Sequence, residues 1–132
     1  MTCNPPTEGD AHAFERTFTA AEVRRFAELS GDTQPRHTEP DDDGRVLVHG
    51  LLTATMPTKI GGELGVLARE MTFEFVEPVY AGTTVTCTCT VADVTERDDR
   101  YELVVEVRSE DEGGETVMTG EIAGLVWKER RR

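Results

Sequence analysis

The apolar positions of this chain change period several times, and each change marks an element. Phe14, Arg16 and Phe18 alternate with Glu15 and Thr17, a two-residue period that predicts a short strand. Thr19-Ala20-Ala21-Glu22 has the spacing of a capping box, so a helix is expected from there. Val23, Phe26, Ala27 and Ser30 share one face of it, while Glu22, Arg24, Arg25 and Glu28 lie largely off that face. Gly31 supplies the left-handed residue that ends a helix. Asp32-Thr33-Gln34-Pro35 then reads as a turn, because Pro35 cannot continue the helix.

A polar, acidic loop from Thr38 to Gly44 leads through Arg45-Val46-Leu47-Val48 to His49-Gly50. Leu51, Leu52, Ala54, Met56 and Ile60, interspersed with Thr53, Thr55 and Thr58, fit a helix buried on all sides. Pro57 lies inside that pattern, so a kink or an early end is expected there. Gly61-Gly62-Glu63-Leu64-Gly65 is expected to break the helix. Beyond it the period returns to two. Leu67, Arg69, Met71, Phe73 and Phe75 predict one strand, and Val85, Cys87, Cys89 and Val91 a second. Tyr101, Leu103, Val105 and Val107 predict a third, and a last strand is expected from about Glu115 to Trp127.

One buried helix followed by long antiparallel strands predicts an α+β fold. At 132 residues there is room for one domain with a real core. The expected division is a flexible N-terminal segment over residues 1–12 and a folded domain over 13–128. A sheet of this kind must cover its apolar face and its edges, which points to an oligomer.

The charge narrows the partners. Twenty-six acidic and 14 basic residues give a net charge of −12, which argues against nucleic-acid binding. Only Lys59 and Lys128 are lysines, and an acidic, lysine-poor surface fits a high-salt cytoplasm as well as an acidic mesophilic protein. Three cysteines cannot all pair, and Cys87 and Cys89 fall on one face of a strand, so reduced core thiols in a reducing interior are expected. With only Cys3 elsewhere they make a poor metal site. The first ten residues lack the pattern of a signal peptide, and no apolar run is long enough to span a membrane. The expected location is therefore the cytoplasm.

The three histidines define the chemistry. His12, without a partner in sequence, fits a surface residue. Asp32 and His37 fall in one compact turn, where a carboxylate and an imidazole sharing a water could take one proton and deliver another. The same spacing also fits an ordinary turn with a solvated histidine after it. His49-Gly50 opens the buried helix, and the first amides of a helix have no internal acceptor, so Gly50 could receive an oxyanion. A tight-packing glycine preceded by a capping histidine fits the same residues.

Read as F-T-x-x-x-V-x-x-F-A-x-L-S-G-D-x-x-P-x-H, the stretch from Phe18 to His37, followed by Val48-His49-Gly50-Leu51-Leu52, resembles the MaoC-like dehydratases, which include the R-specific enoyl-CoA hydratases. The resemblance extends to F-x-F-x-x-P-V-Y-x-G-x-x-V at Phe73 to Val85 and covers about Phe14 to Trp127. It implies the hot-dog fold, a long antiparallel sheet wrapped around a central helix, commonly dimerised edge to edge. It also implies that Asp32 and His37 hold the catalytic water, that the Gly50 amide binds the thioester oxygen with His49 beside it, and that Thr58 lies near the site. Two positions depart from the family pattern: Gln34 stands where asparagine is usual, and Arg36 where an aliphatic residue is usual. Arg36 puts a cation beside His37, where it could reach a phosphate of the acyl carrier.

The activity implied is reversible syn hydration of a trans-2-enoyl-CoA to an (R)-3-hydroxyacyl-CoA, with no metal or organic cofactor. The expected partners are an acyl-CoA, with acyl carrier protein as the other possible carrier, and a second copy of the chain. Two rivals share the fold: an acyl-CoA thioesterase, and a non-catalytic subunit that binds acyl thioesters.

Overall fold

The computed structural model describes residues 5–129. Five strands, β1 (Ala11–Thr17), β2 (Leu67–Phe75), β3 (Thr84–Glu96), β4 (Arg100–Glu110) and β5 (Thr116–Trp127), form one antiparallel sheet in the order β1-β3-β4-β5-β2. Helices α1 (Ala20–Ser30), α2 (Pro35–Thr38), α3 (Gly50–Thr53) and α4 (Thr55–Leu64) all fall between β1 and β2 in sequence. α4 packs on β1, β2 and β3, giving the expected α+β arrangement of a sheet around a helix. Phe18, Met56, Val85, Cys87 and Met118 are fully buried at the centre of the core. No helix among the described residues is long and apolar enough to cross a membrane.

α1 begins and ends as its sequence dictates. The Thr19 hydroxyl accepts from the Glu22 N–H at 3.1 Å, and the Glu22 carboxylate accepts from the Thr19 N–H at 3.0 Å. Gly31, at φ 82°, ends the helix in the left-handed region and turns the chain towards Asp32. Pro35 does not leave a plain turn behind it. It occupies the first position of α2, where its missing N–H costs nothing, and α2 carries His37.

The central helix differs from expectation in three ways. Its break comes at Ala54 rather than at Pro57, because a continuous helix would drive the Pro57 ring into the Thr53 carbonyl and leave that carbonyl without a donor. Gly61 and Gly62 stay helical. The stop falls at Gly65, at φ 73°, with the Val66 N–H closing on the Gly61 carbonyl at 2.8 Å. Nor is the helix buried all round, since Leu51 is 66% exposed and Thr58, Lys59 and Glu63 face out.

At the other end of the chain, β1 begins inside the segment expected to be flexible. His12 pairs with Cys89 there and is half-buried. Residues 1–4 of that segment, Cys3 included, lie outside the described residues. Cys87 and Cys89 are buried on one face of β3, as their spacing predicts. The hydrogen bond that its S–H donates to Cys87, together with burial, pushes the Cys89 thiol up, so it is held protonated.

β2 alternates in sequence yet is exposed along nearly its whole length, with only Phe73 turned half into the core. It occupies a sheet edge and pairs only with β5. Two β5 glycines permit that pairing. A Cβ on Gly120 would lie 2.6 Å from the Thr72 carbonyl oxygen and 2.5 Å from the Phe73 ring, and one on Gly124 would lie 2.6 Å from the Leu67 carbonyl oxygen. Backbone cannot swing aside as a side chain can. Gly124→Ala is therefore expected to lower stability by about 1–3 kcal/mol, the usual cost of overpacking. Urea unfolding checks this, and an unchanged midpoint would show that the β2–β5 contact is looser than the spacing implies.

Candidate active site

Two pieces of chain far apart in sequence build the site. Residues 46–48 thread between α2 and the segment 79–81. The Ala81 N–H donates to the Val46 carbonyl at 2.9 Å, the Val48 N–H to Val79 at 2.8 Å, and the Leu47 N–H to the Arg36 carbonyl at 3.0 Å. Arg45 steadies the approach, bonded to Asp41 at 3.1 Å with its guanidinium 4.1 Å over the Tyr80 ring. The Leu47 carbonyl is thereby fixed in front of α2.

His37, 6% exposed, places Nδ1 2.7 Å from that carbonyl oxygen. A carbonyl can only accept, so Nδ1 carries a proton, and in the neutral ring Nε2 keeps its lone pair. Nε2 faces the Asp32 carboxylate at 3.7 Å, too far for a good direct bond and close enough for one water to touch both. Asp32 itself is partly open to solvent. The Gln34 side-chain amide donates to its Oδ1 at 2.8 Å, and this bond above all, then the Gln34 main-chain N–H, holds the Asp32 carboxyl below the usual carboxylate range. The longer Gln34 side chain thus still reaches the aspartate.

A cavity of about 330 Å³ opens beside His37, walled in part by Gln34, Arg36, Gly50, Thr53 and Phe75. Gly50 is the first residue of α3, so its N–H has no acceptor within the helix. α3 is a single turn, and what it offers is that one N–H rather than a helix dipole. A Cβ on Gly50 would meet the Phe75 ring at 2.9 Å, so glycine lets an aromatic wall close over the amide.

The remaining expected site residues separate. His49 is 4% exposed and does not line this cavity. It lies behind His37 with its ring stacked at 3.7 Å between centroids. Thr58 is exposed on α4 and lines a different cavity, about 670 Å³ and largely apolar, together with Ile60, Leu64, Cys89, Leu103 and Ile122. The structure therefore brings Asp32, His37 and Gly50 together and leaves Thr58 apart from them. Donor atoms of Asp32, His37 and His49 lie within 4.8 Å of one another, so these are the residues that could hold a metal ion. The Leu47 carbonyl and Phe75 are the parts that sequence reasoning missed. A main-chain acceptor has no residue-type signal, and Phe75 reads in sequence as a strand residue within the Phe73–Val85 motif, with nothing local to place it over Gly50.

Comparison with known proteins shows the family of the chain. The family model described as "MaoC like domain" matches residues 4–113. An (R)-specific enoyl-CoA hydratase of Aeromonas caviae is 30% identical over 122 residues, covering 86% of this chain and 90% of the relative. The solved structure of an (R)-hydratase from A. caviae superposes with a TM-score of 0.81 at 29% identity, over 92% of this chain and 96% of that one. An R-hydratase from Pseudomonas aeruginosa gives the same TM-score at 19% identity, over 95% and 84%, and so speaks for the hot-dog fold alone. With the family model spanning most of the folded chain, including the turn that carries Asp32 and His37 and the entry to α3, the protein belongs to the MaoC-like domain family.

Proposed function

We propose that the protein is a hydro-lyase that reversibly adds water across the double bond of trans-2-enoyl thioesters, giving (R)-3-hydroxyacyl thioesters. The observation that carries this reading is His37, with Nδ1 held by the Leu47 carbonyl, presenting Nε2 to the Asp32 carboxylate across the width of one water, beside a cavity that His37 and Gly50 help to line. The similarity to the A. caviae (R)-specific enoyl-CoA hydratase supports the substrate class.

In the reaction the water oxygen bonds to the β-carbon as the Asp32–His37 pair takes one of its protons. The alkene electrons move onto the thioester, whose oxygen is met by the Gly50 N–H. The pair then returns the proton to the α-carbon, so one water is added and both residues are restored. The step as written uses no metal or organic cofactor. Arg36, at the cavity wall, offers a guanidinium to an acidic group of the CoA or acyl-carrier portion. The apolar cavity behind α4 has the size and lining for an aliphatic chain. An acidic, lysine-poor chain of this kind suits a salt-rich cytoplasm.

Loss of the enoyl thioester ultraviolet band with crotonyl-CoA, followed in high salt and in dilute buffer, tests the activity. Asp32→Asn and His37→Gln are each expected to lower the rate about 10²–10⁴-fold, the usual worth of positioned acid–base catalysis, with an unchanged circular dichroism spectrum. Near-full rates in either variant would remove these residues from the mechanism. Thiol release from a saturated acyl-CoA without hydration of crotonyl-CoA would identify a thioesterase instead.

The pH profile gives a second check. The Gln34 hydrogen bond stabilises the charged form of Asp32, so Gln34→Leu raises that carboxyl towards its ordinary range. The acid limb of kcat/KM should move to higher pH. A limb that stays in place would mean that Asp32 ionisation does not set it.

A second copy of the chain is the proposed partner. Among the described residues the outer edge of β2 is unpaired in the sheet, and Leu67, Met71 and Phe75 along it are exposed. Sedimentation is expected to give twice the chain mass, and Met71→Pro, which removes a donor that points away from β5, to weaken the dimer. A wild-type monomer at micromolar concentration would overturn this.

A further inference from the structure

We infer that His49 is a positioning residue, which aligns both members of the Asp32–His37 pair without touching substrate. The inference rests on the hydratase reading above. His49 is buried, and its Nε2 lies 3.0 Å from the main-chain carbonyl oxygen of Asp32. That oxygen can only accept, so Nε2 carries the ring proton. Nδ1 is buried with no hydrogen-bond partner, and a proton there would be an unpaired buried donor.

Two consequences follow for the reacting groups. First, Asp32 is anchored through its main chain, so its carboxylate needs no contact with the scaffold beyond Gln34 and keeps Oδ2 for the water. Second, the His49 ring lies face to face with His37, at 3.7 Å and 16° between planes, while the Phe26 edge abuts His49 at 4.9 Å and 68°. A five-membered ring held by one hydrogen bond at Nδ1 can still tilt about that bond. Stacking on a ring that Phe26 braces removes this freedom and aims His37 Nε2 at Asp32. His49 also begins α3, its carbonyl accepting from the Leu52 and Thr53 N–H groups, so the same residue sets where the Gly50 amide lies.

His49 therefore has two separable functions, an N–H for Asp32 and a ring for His37. His49→Phe keeps the ring and loses the donor. His49→Gln keeps a donor near the Nε2 position and loses the ring. His49→Phe is expected to lower kcat about a hundredfold, the cost of a misplacement near 1 Å, while KM and the near-ultraviolet dichroism stay close to wild type. His49→Gln is expected to recover part of that loss. An unchanged kcat in His49→Phe, a loss matched by a rise in KM, or equal losses in the two variants would overturn the inference.

Imidazole 15N spectra of the wild-type chain decide the same point without turnover and without relying on a variant that folds. His49 should appear as the Nε2–H tautomer and His37 as the Nδ1–H tautomer. A His49 proton on Nδ1 would refute the positioning role whatever the activity. Failure of the wild type to hydrate crotonyl-CoA, with the tautomers as stated, would count against the reaction class and leave the two-ring arrangement standing.

Discussion

The hydrogen bond between His37 Nδ1 and the Leu47 carbonyl is the contact on which the rest of the site depends. It selects the tautomer, and with it which nitrogen can face Asp32. It also makes the chemistry hostage to the fold, because the Leu47 carbonyl is in place only while residues 46–48 stay paired with 79–81 and with α2. A second main-chain carbonyl, that of Asp32, performs the matching task for His49. Two stacked imidazoles, each oriented by a backbone acceptor, form a rigid support behind one carboxylate.

The largest stabiliser of the Asp32 charge is a neutral amide. Gln34 lowers the affinity of Asp32 for protons through a directed hydrogen bond. A salt bridge would instead have occupied the oxygens that the water needs. The departure from the family's asparagine is thus accommodated, since the longer side chain still places its nitrogen 2.8 Å from Oδ1. Ion pairs such as Arg16–Glu22 and Lys128–Glu96 lie on the surface, where each contributes little to stability. Core packing and strand pairing carry the fold.

Apolar surface stays open at the β2 edge and in the cavity beneath α4. β2 shows apolar side chains to solvent, and α4 stands over a largely apolar hollow. Both are unusual expenses for a small chain with this much charge. They fit a protein whose substrate carries an aliphatic chain and whose edge strand meets a second copy.

The sequence by itself determined the elements whose causes are local. The Thr19–Glu22 capping box, the Gly31 stop and the two-residue period of β3, β4 and β5 all follow from neighbours along the chain, and so does the shared face of Cys87 and Cys89. The motif around Asp32 and His37 named two side chains that the fold brings to within 3.7 Å of each other. Tertiary structure decided what neighbours cannot. β2 and β3 alternate alike in sequence, yet β3 lies inside the sheet with α4 packed on it and its apolar residues buried, while β2 stands at an edge with its apolar residues largely exposed. Thr58 lies one helical turn too far along to share the His37 cavity. His49, beside Gly50 in sequence, was expected near the substrate and instead lies behind His37. Its orientation is set by the Asp32 carbonyl and the Phe26 edge, contacts formed across stretches of chain that no local period records.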